Sequence, residues 1–273
     1  MRSNGQRTVR VCAKKKKAVV VLPGLLNNSD DYGKMVQRIL SATNGGESSS
    51  DGGGGTSCVV ARVRRADWLR NASGFLTRDY WAGTLKPRPT VNWYLERIDT
   101  AVAEAAASCG EDGEIVLLSH SAGGWLGRVW MEANENHEKI TTYVSLGSPQ
   151  LPPPGGVFDQ TRGILTHLEA TIPGCHHSNV RYVTISGRWK RGAASFDANN
   201  ADAFVVGLTY KQVCGSADVW GDGITPEQSA HLPGSEKIVL EDCYHSPVGS
   251  EESDSSRLWY GSEAMLSQWI DRL

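Results

Sequence analysis

No uninterrupted apolar run in this 273-residue chain is long enough to cross a bilayer. The longest, Ala18 to Leu26, is broken by Pro23 and Gly24. Charge of one sign is also missing: 28 basic against 30 acidic residues give −2, so the net basic footprint of a general nucleic-acid binder is absent. The six cysteines, at 12, 58, 109, 175, 214 and 243, form no CxxC pair and no tight cluster. That spacing excludes a dense disulfide scaffold and a paired-ligand zinc site, and it predicts reduced, mostly buried thiols and no metal. Phenylalanine is scarce, four residues against nine tryptophans, so large apolar side chains here are mainly indoles.

Acidic residues are missing from the first 29 positions, which carry Arg2, Arg7, Arg10 and Lys14 to Lys17. Without an apolar segment this is no secretory signal. Residues 1–17 read either as an organelle leader with a plastid-type processing site at Val9 to Ala13, or as a solvated basic tail. The expected localisation is plastid, otherwise cytoplasmic. The chain's −2 and the leader's +7 leave −9 for the rest.

From Ala18 onward, short β-branched runs alternate with helical patterns. Ala18 to Leu22, Cys58 to Val63, Ile115 to Leu118, Ile140 to Leu146, Val180 to Ile185 and Ile238 to Leu240 read as buried strands. Helices are expected from Asp30 to about Leu40, from Val91 to Ser108, from Trp125 to Glu135 and from Ser262 to Leu273. The second carries Leu95, Ile98, Val102 and Ala105 on one stripe. Asn44 to Ser57 is a Gly/Ser-rich insertion, read as flexible. The alternation predicts an α/β fold in one domain over 18–273, a mostly parallel central sheet with helices on both faces in a three-layer sandwich.

The sharpest local signal is Leu117-Leu118-Ser119-His120-Ser121-Ala122-Gly123-Gly124. It reads as strand, abrupt turn and helix with Ser121 at the turn, the context of a G-x-S-x-G nucleophile elbow with Ser119 in place of the first glycine. A plain αβ turn whose serine caps the helix is the alternative. A serine needs a base and the base an orienting acid, in the chain order Ser, Asp/Glu, His. His245 follows the last strand and emerges at the same sheet edge as Ser121, whereas His231 precedes that strand and is expected at the opposite edge. His120 points away within the elbow, and His176 and His177 sit in a loop. Asp222, between Gly221 and Gly223, is the expected acid, with Asp218, Asp197 and Asp202 as rivals. The oxyanion donors are expected at the amides of Ala122 and Leu25.

These motifs resemble α/β-hydrolases of plants and algae similar to the GPI inositol-deacylase-like lipases. The shared stretches include Asp67 to Asn71, Tyr80-Trp81, Pro87 to Pro89, Trp93-Tyr94, Leu146 to Pro149, Leu151 to Pro154 and Asp159 to Gly163. Tyr210 to Gly215, Gly221 to Gly223 and Tyr244 to Pro247 complete them. The resemblance implies the α/β-hydrolase fold and a carboxylic ester hydrolase, lipase- or esterase-like, with Ser121, Asp222 and His245 as triad and no cofactor. Two features depart from it: the transmembrane helices of the membrane-bound deacylases are lacking, and the first oxyanion turn has no His-Gly pair.

Trp68, Trp81 and Trp93 fall where an acyl-pocket rim could sit, or where a core needs filling. Arg162, like Arg70 and Arg88, could hold an anionic head group or serve in an ion pair. Trp68, Trp81 and Arg162 are the expected substrate contacts. The expected partner is a small-molecule or lipid ester, with peripheral membrane contact, no nucleic acid and no transmembrane segment. A non-catalytic receptor on the same fold and an acyltransferase with the same triad are the alternatives.

Overall fold

A computed structural model describes residues 16–45, 55–250 and 255–273. Six strands form the central sheet: β1 (Lys17–Leu22), β2 (Thr56–Val60), β3 (Glu114–His120), β4 (Ile140–Leu146), β5 (Arg181–Arg188) and β8 (Glu236–Glu241). Their order is β2-β1-β3-β4-β5-β8, and every pairing among them is parallel. Two short strands, β6 (Lys190–Arg191) and β7 (Trp220–Gly221), pair antiparallel beyond β5.

Parallel strands covered on both faces read as continuous apolar runs, and alternate residues face opposite layers. In β1, Ala18, Val20 and Leu22 join one core while Val19 and Val21 join the other. Ile115 and Leu117 of β3 follow the first set, Val116 and Leu118 the second. The first core is roofed by α3 (Asn92–Cys109), α4 (Ala122–Ala133) and α5 (Ile164–Thr171). The second is closed by α1 (Gly33–Asn44) and α7 (Glu263–Leu266), through Met35, Ile39, Met265 and Leu266. This is the expected three-layer α/β sandwich.

Several expectations need correction. Lys17 already belongs to β1, and residues 1–15 of the basic leader lie outside the described residues. Of the Gly/Ser insertion, residues 46–54 lie outside them too. Its ends are ordered: the Asn44 amide donates to the Thr56 carbonyl at 3.0 Å and its oxygen accepts from the Thr56 N–H at 2.7 Å. Asp30 lies inside a 3-10 turn, Ser29–Tyr32, rather than capping α1. The C-terminal helix shrinks to one turn of α7 followed by a 3-10 turn, Ile270–Arg272. Two helices escaped the pattern, α5 and α6 (Ala201–Cys214), as did α2 (Arg78–Ala82) and the run of 3-10 turns at Arg65–Leu76. Only Cys109 and Cys243 are fully buried among the described cysteines, all of which are free thiols.

In a parallel sheet the loops leaving the strands' carboxyl ends share one edge, where such folds place their sites. The register keeps those ends level, pairing Leu22 with Ser119, His120 with Leu146, and Leu146 with Ile185.

Candidate active site

Ser121 occupies the abrupt turn between β3 and α4 with φ 52° and ψ −127°, a conformation an L-residue adopts only under constraint. Its amide donates to the Leu146 carbonyl at 2.9 Å, and its carbonyl accepts from the Gly124 N–H at 3.0 Å. The helix crosses β1 so closely that a Cβ on Gly123 would lie 2.4 Å from the Leu22 carbonyl oxygen. At the position where glycine is usual, the small Ser119 is fully buried and donates to the Val144 carbonyl at 2.9 Å.

His245 stands on the loop after β8, with Nε2 3.0 Å from Ser121 Oγ and Nδ1 2.7 Å from Asp222 Oδ2. A carboxylate only accepts, so the proton sits on Nδ1 and Nε2 is left to accept the serine hydroxyl. Asp222 follows β7 and is fully buried. Its Oδ1 accepts from the amides of Ile224 (3.0 Å) and Thr225 (2.7 Å), and its Oδ2 also accepts from the Tyr260 hydroxyl at 2.7 Å. Four donors therefore meet its two oxygens, as a buried charge requires. Burial, reinforced by the Asp222 charge, raises the Tyr260 phenol well above its usual range and keeps it a donor. Gly147, at φ 54°, passes so near that a Cβ there would lie 2.5 Å from Asp222 Oδ2 and 2.7 Å from Tyr260 Oη.

The rival carboxylates are engaged elsewhere. Asp218 pairs with Arg191 at 2.8 Å, Asp202 with Lys190, and Asp197 caps a 3-10 turn through the Asn199 amide. His231 lies between Thr184 and Ser186, midway along β5 rather than at the edge opposite Ser121. His120 points away from the cavity, with Nε2 2.9 Å from the His245 carbonyl and Nδ1 2.8 Å from Tyr32 Oη.

After β1, residues 24–27 turn tightly, with the Asn27 amide donating to the Gly24 carbonyl at 3.1 Å. The Leu25 amide has no hydrogen-bond partner among the described residues. That of Ala122, first in α4, has no acceptor within the helix. Both residues line the cavity with Ser121.

A parallel sheet in this order, a strained serine after β3, an acid beyond β5 and a histidine after the last strand decide the architecture. The chain has the α/β-hydrolase fold. Solved structures similar to it are lipase BlEst2 of Bacillus licheniformis in mature form (TM-score 0.53, 14% identity, 95% of this chain and 90% of that one) and a metagenomic carboxyl esterase, MGS0156 (0.50, 12%, 95% and 76%). Phospholipase PlaB of Legionella pneumophila is a third (0.53, 13%), matched over 94% of this chain and 63% of its own. No protein-family model and no curated protein sequence matches the chain.

On this α/β-hydrolase scaffold, Ser121 opens into a cavity of about 220 Å³. Trp68, Leu85, Val91, Trp125, Ile164 and Leu165 supply much of its apolar wall. Trp68 also belongs to the core, stacked edge-on against Trp93 at 5.2 Å. Trp81 does not line the cavity; it is exposed, and its indole N–H donates to the Phe75 carbonyl. Arg162 does line it, yet its guanidinium is held by the carbonyls of Tyr80 (2.8 Å) and Trp81 (3.0 Å) and pairs with no carboxylate among the described residues. Among those residues no cluster of His, Cys, Asp or Glu has metal-binding geometry.

Tyr260, Tyr32, Thr225 and Gly147 were beyond the reach of sequence reasoning. Tyr260, Tyr32 and Gly147 reach the site from distant parts of the chain, and Thr225, whose amide serves Asp222 locally, also donates its hydroxyl to the Gly147 carbonyl 78 positions away.

Proposed function

We propose that the chain is a serine hydrolase of carboxylic esters with apolar acyl groups. The observation that carries this reading is the hydrogen-bonded line Ser121–His245–Asp222 opening onto an apolar cavity. His245 Nε2 takes the Ser121 proton as Oγ attacks the ester carbonyl, and Asp222 steadies the imidazolium that forms. The negative oxygen of the tetrahedral intermediate is received by the Leu25 and Ala122 amides. Loss of one such donor typically costs roughly 10²–10³ in rate. His245 then returns the proton to the departing alcohol, leaving an acyl-Ser121. Water attacks that acyl group, again giving its proton to Nε2, and the free acid leaves as Ser121 is reprotonated.

The wall of the cavity favours an alkyl chain over a charged group. The motif resemblance to GPI inositol-deacylase-like lipases, and the fold shared with lipases and a phospholipase, support lipid esters as the substrate class.

Covalent labelling by a fluorophosphonate tests the reading. Wild type should label and hydrolyse a series of p-nitrophenyl esters, and Ser121→Ala should do neither. A folded wild type that neither labels nor turns over any ester would favour a receptor on this fold instead.

A further inference from the structure

Between β2 and α3 the chain crosses the cavity as the 3-10 run Arg65–Leu76 followed by α2. Its inner side supplies Trp68, Asn71 and Tyr80 to the cavity wall. Its outer side carries Leu69, Leu76 and Trp81 at 74%, 90% and 70% exposure, with Phe75 half exposed. The aromatic rings are continuous: Phe75 meets Tyr80 edge to face at 4.6 Å, and Arg162 bridges Tyr80 (5.0 Å) to the exposed Phe158 (4.6 Å). Leu25 and Ile224, both substantially exposed, line the same cavity. Apolar side chains of this size on show around one opening mark a binding face.

The same stretch is basic in a chain whose net charge is −2. Residues 62–82 hold Arg62, Arg64, Arg65, Arg70 and Arg78, all exposed, against Asp67 and Asp79. The first four, joined by Arg97 of α3, line an open depression that also holds Asp30 and Asp67. Three of these arginines face carboxylates: Arg62 pairs with Glu104, Arg65 with Asp31, and Arg70 lies 3.7 Å from Asp67. Arg64 and Arg78 have no carboxylate partner among the described residues.

We propose that the outer side of residues 62–82, with Leu25 and Phe158, docks on the surface of an anionic lipid bilayer and turns the mouth of the Ser121 cavity toward it. Leu69, Phe75, Leu76 and Trp81 enter the headgroup region while the arginines meet lipid phosphates. An apolar ridge beside a basic strip is the arrangement that binds such interfaces. A neutral protein partner would leave Arg64 and Arg78 without a counterpart. The proposal deepens the esterase reading by naming where the ester is met, but the docking does not need turnover.

The test is co-sedimentation with phosphatidylcholine vesicles, with and without phosphatidylglycerol. The full chain should bind the anionic vesicles, and the Leu69→Asp/Leu76→Asp double variant should bind about tenfold more weakly or worse. That variant, whose altered residues lie outside the cavity wall, should still hydrolyse a dissolved short-chain ester. Arg64→Gln/Arg78→Gln should remove the preference for anionic over neutral vesicles, as should high salt. Ser121→Ala should bind like wild type. Ester hydrolysis without vesicle binding, or binding unchanged in the double variant, overturns the docking and leaves the esterase reading standing. Binding without any ester hydrolysis does the reverse. A wild-type dimer that the Leu69→Asp/Leu76→Asp variant splits would overturn it in favour of a second copy of the chain.

Discussion

The phenol of Tyr32 donates to Nδ1 of His120 across 2.8 Å, deep beneath the turn that carries Ser121. Since the His245 carbonyl can only accept, the proton of the neutral His120 ring lies on Nε2, and Nδ1 is the acceptor. Burial, followed by the neighbouring His245, holds His120 well below the usual histidine range, so the ring stays neutral. The Gly24 amide in turn donates to the Tyr32 oxygen at 2.8 Å. One line of hydrogen bonds thus runs from the turn carrying Leu25, through Tyr32 and His120, to the backbone of His245. It sets the spacing between the expected oxyanion donor and the expected base.

Tyr32→Phe keeps the ring and breaks that line. It leaves the Gly24 N–H and His120 Nδ1 without their partner, a loss of about 1–3 kcal/mol in stability. With the Leu25 turn freed, kcat on a dissolved ester should drop roughly tenfold, and KM should change little, because the contact matters most to the transition state. Unchanged kcat in a destabilised variant would reduce the Tyr32–His120 pair to a structural one.

The acid assignment separates two carboxylates. Asp222 is buried with four donors, whereas Asp218 is on the surface with Arg191. Asp222→Asn should fold and lose activity by up to about 10⁴, the loss known when the orienting acid of a Ser-His-Asp triad becomes an amide. Asp218→Asn should keep near-normal kcat. Equal losses from both would remove the distinction drawn from their surroundings.

The strands were legible because each is buried on both faces and reads as an apolar run, as Ala18 to Leu22 does. The elbow was legible because its steric limits fall within five consecutive residues. By contrast, α6 has buried Val206 and Tyr210 but exposed Val205 and Leu208, so no clean stripe marks it. The sequence at 65–76 follows no helical period, because a 3-10 backbone repeats every three residues. Tyr260 reaches Asp222 from 38 positions away, and only the fold brings them together. His120 was read as facing away from Ser121, and it does. Its bond to the His245 backbone is a long-range contact, invisible in the chain.

Gly147→Ala offers a steric test of the same acid. At φ 54° an alanine is strained, and its Cβ would press on Asp222 Oδ2 and Tyr260 Oη. The strain alone is worth about 1–3 kcal/mol. Activity should fall more than stability suggests, because the displaced oxygen is the one that orients His245. Gly156→Ala, also at positive φ but with open space around it, should lower the melting temperature with kcat preserved. Matching kcat losses in the two variants would argue against a role for the Gly147 contact.

Acid should destabilise the fold through its histidines. Burial pushes His120 and His231 down, and it pushes His177 down to about 4 with help from His137 and His176. Below about pH 6.5 the unfolded chain binds protons at these sites and the folded chain does not. The unfolded state then holds more protons, so stability rises with pH in this window and is lost as pH falls. The fully buried His120 can contribute up to about 1.4 kcal/mol per pH unit there. Denaturant titrations should therefore give a flat stability between about pH 7 and 8 and a decline from about 6.5 downward. The share from His177 should end near its folded value of about 4, where the native state takes up the proton as well. His177→Gln should make the decline shallower between those limits without affecting turnover, since that ring lies at the opposite edge of the sheet from Ser121. A decline as steep in His177→Gln as in wild type would place the acid sensitivity in other groups.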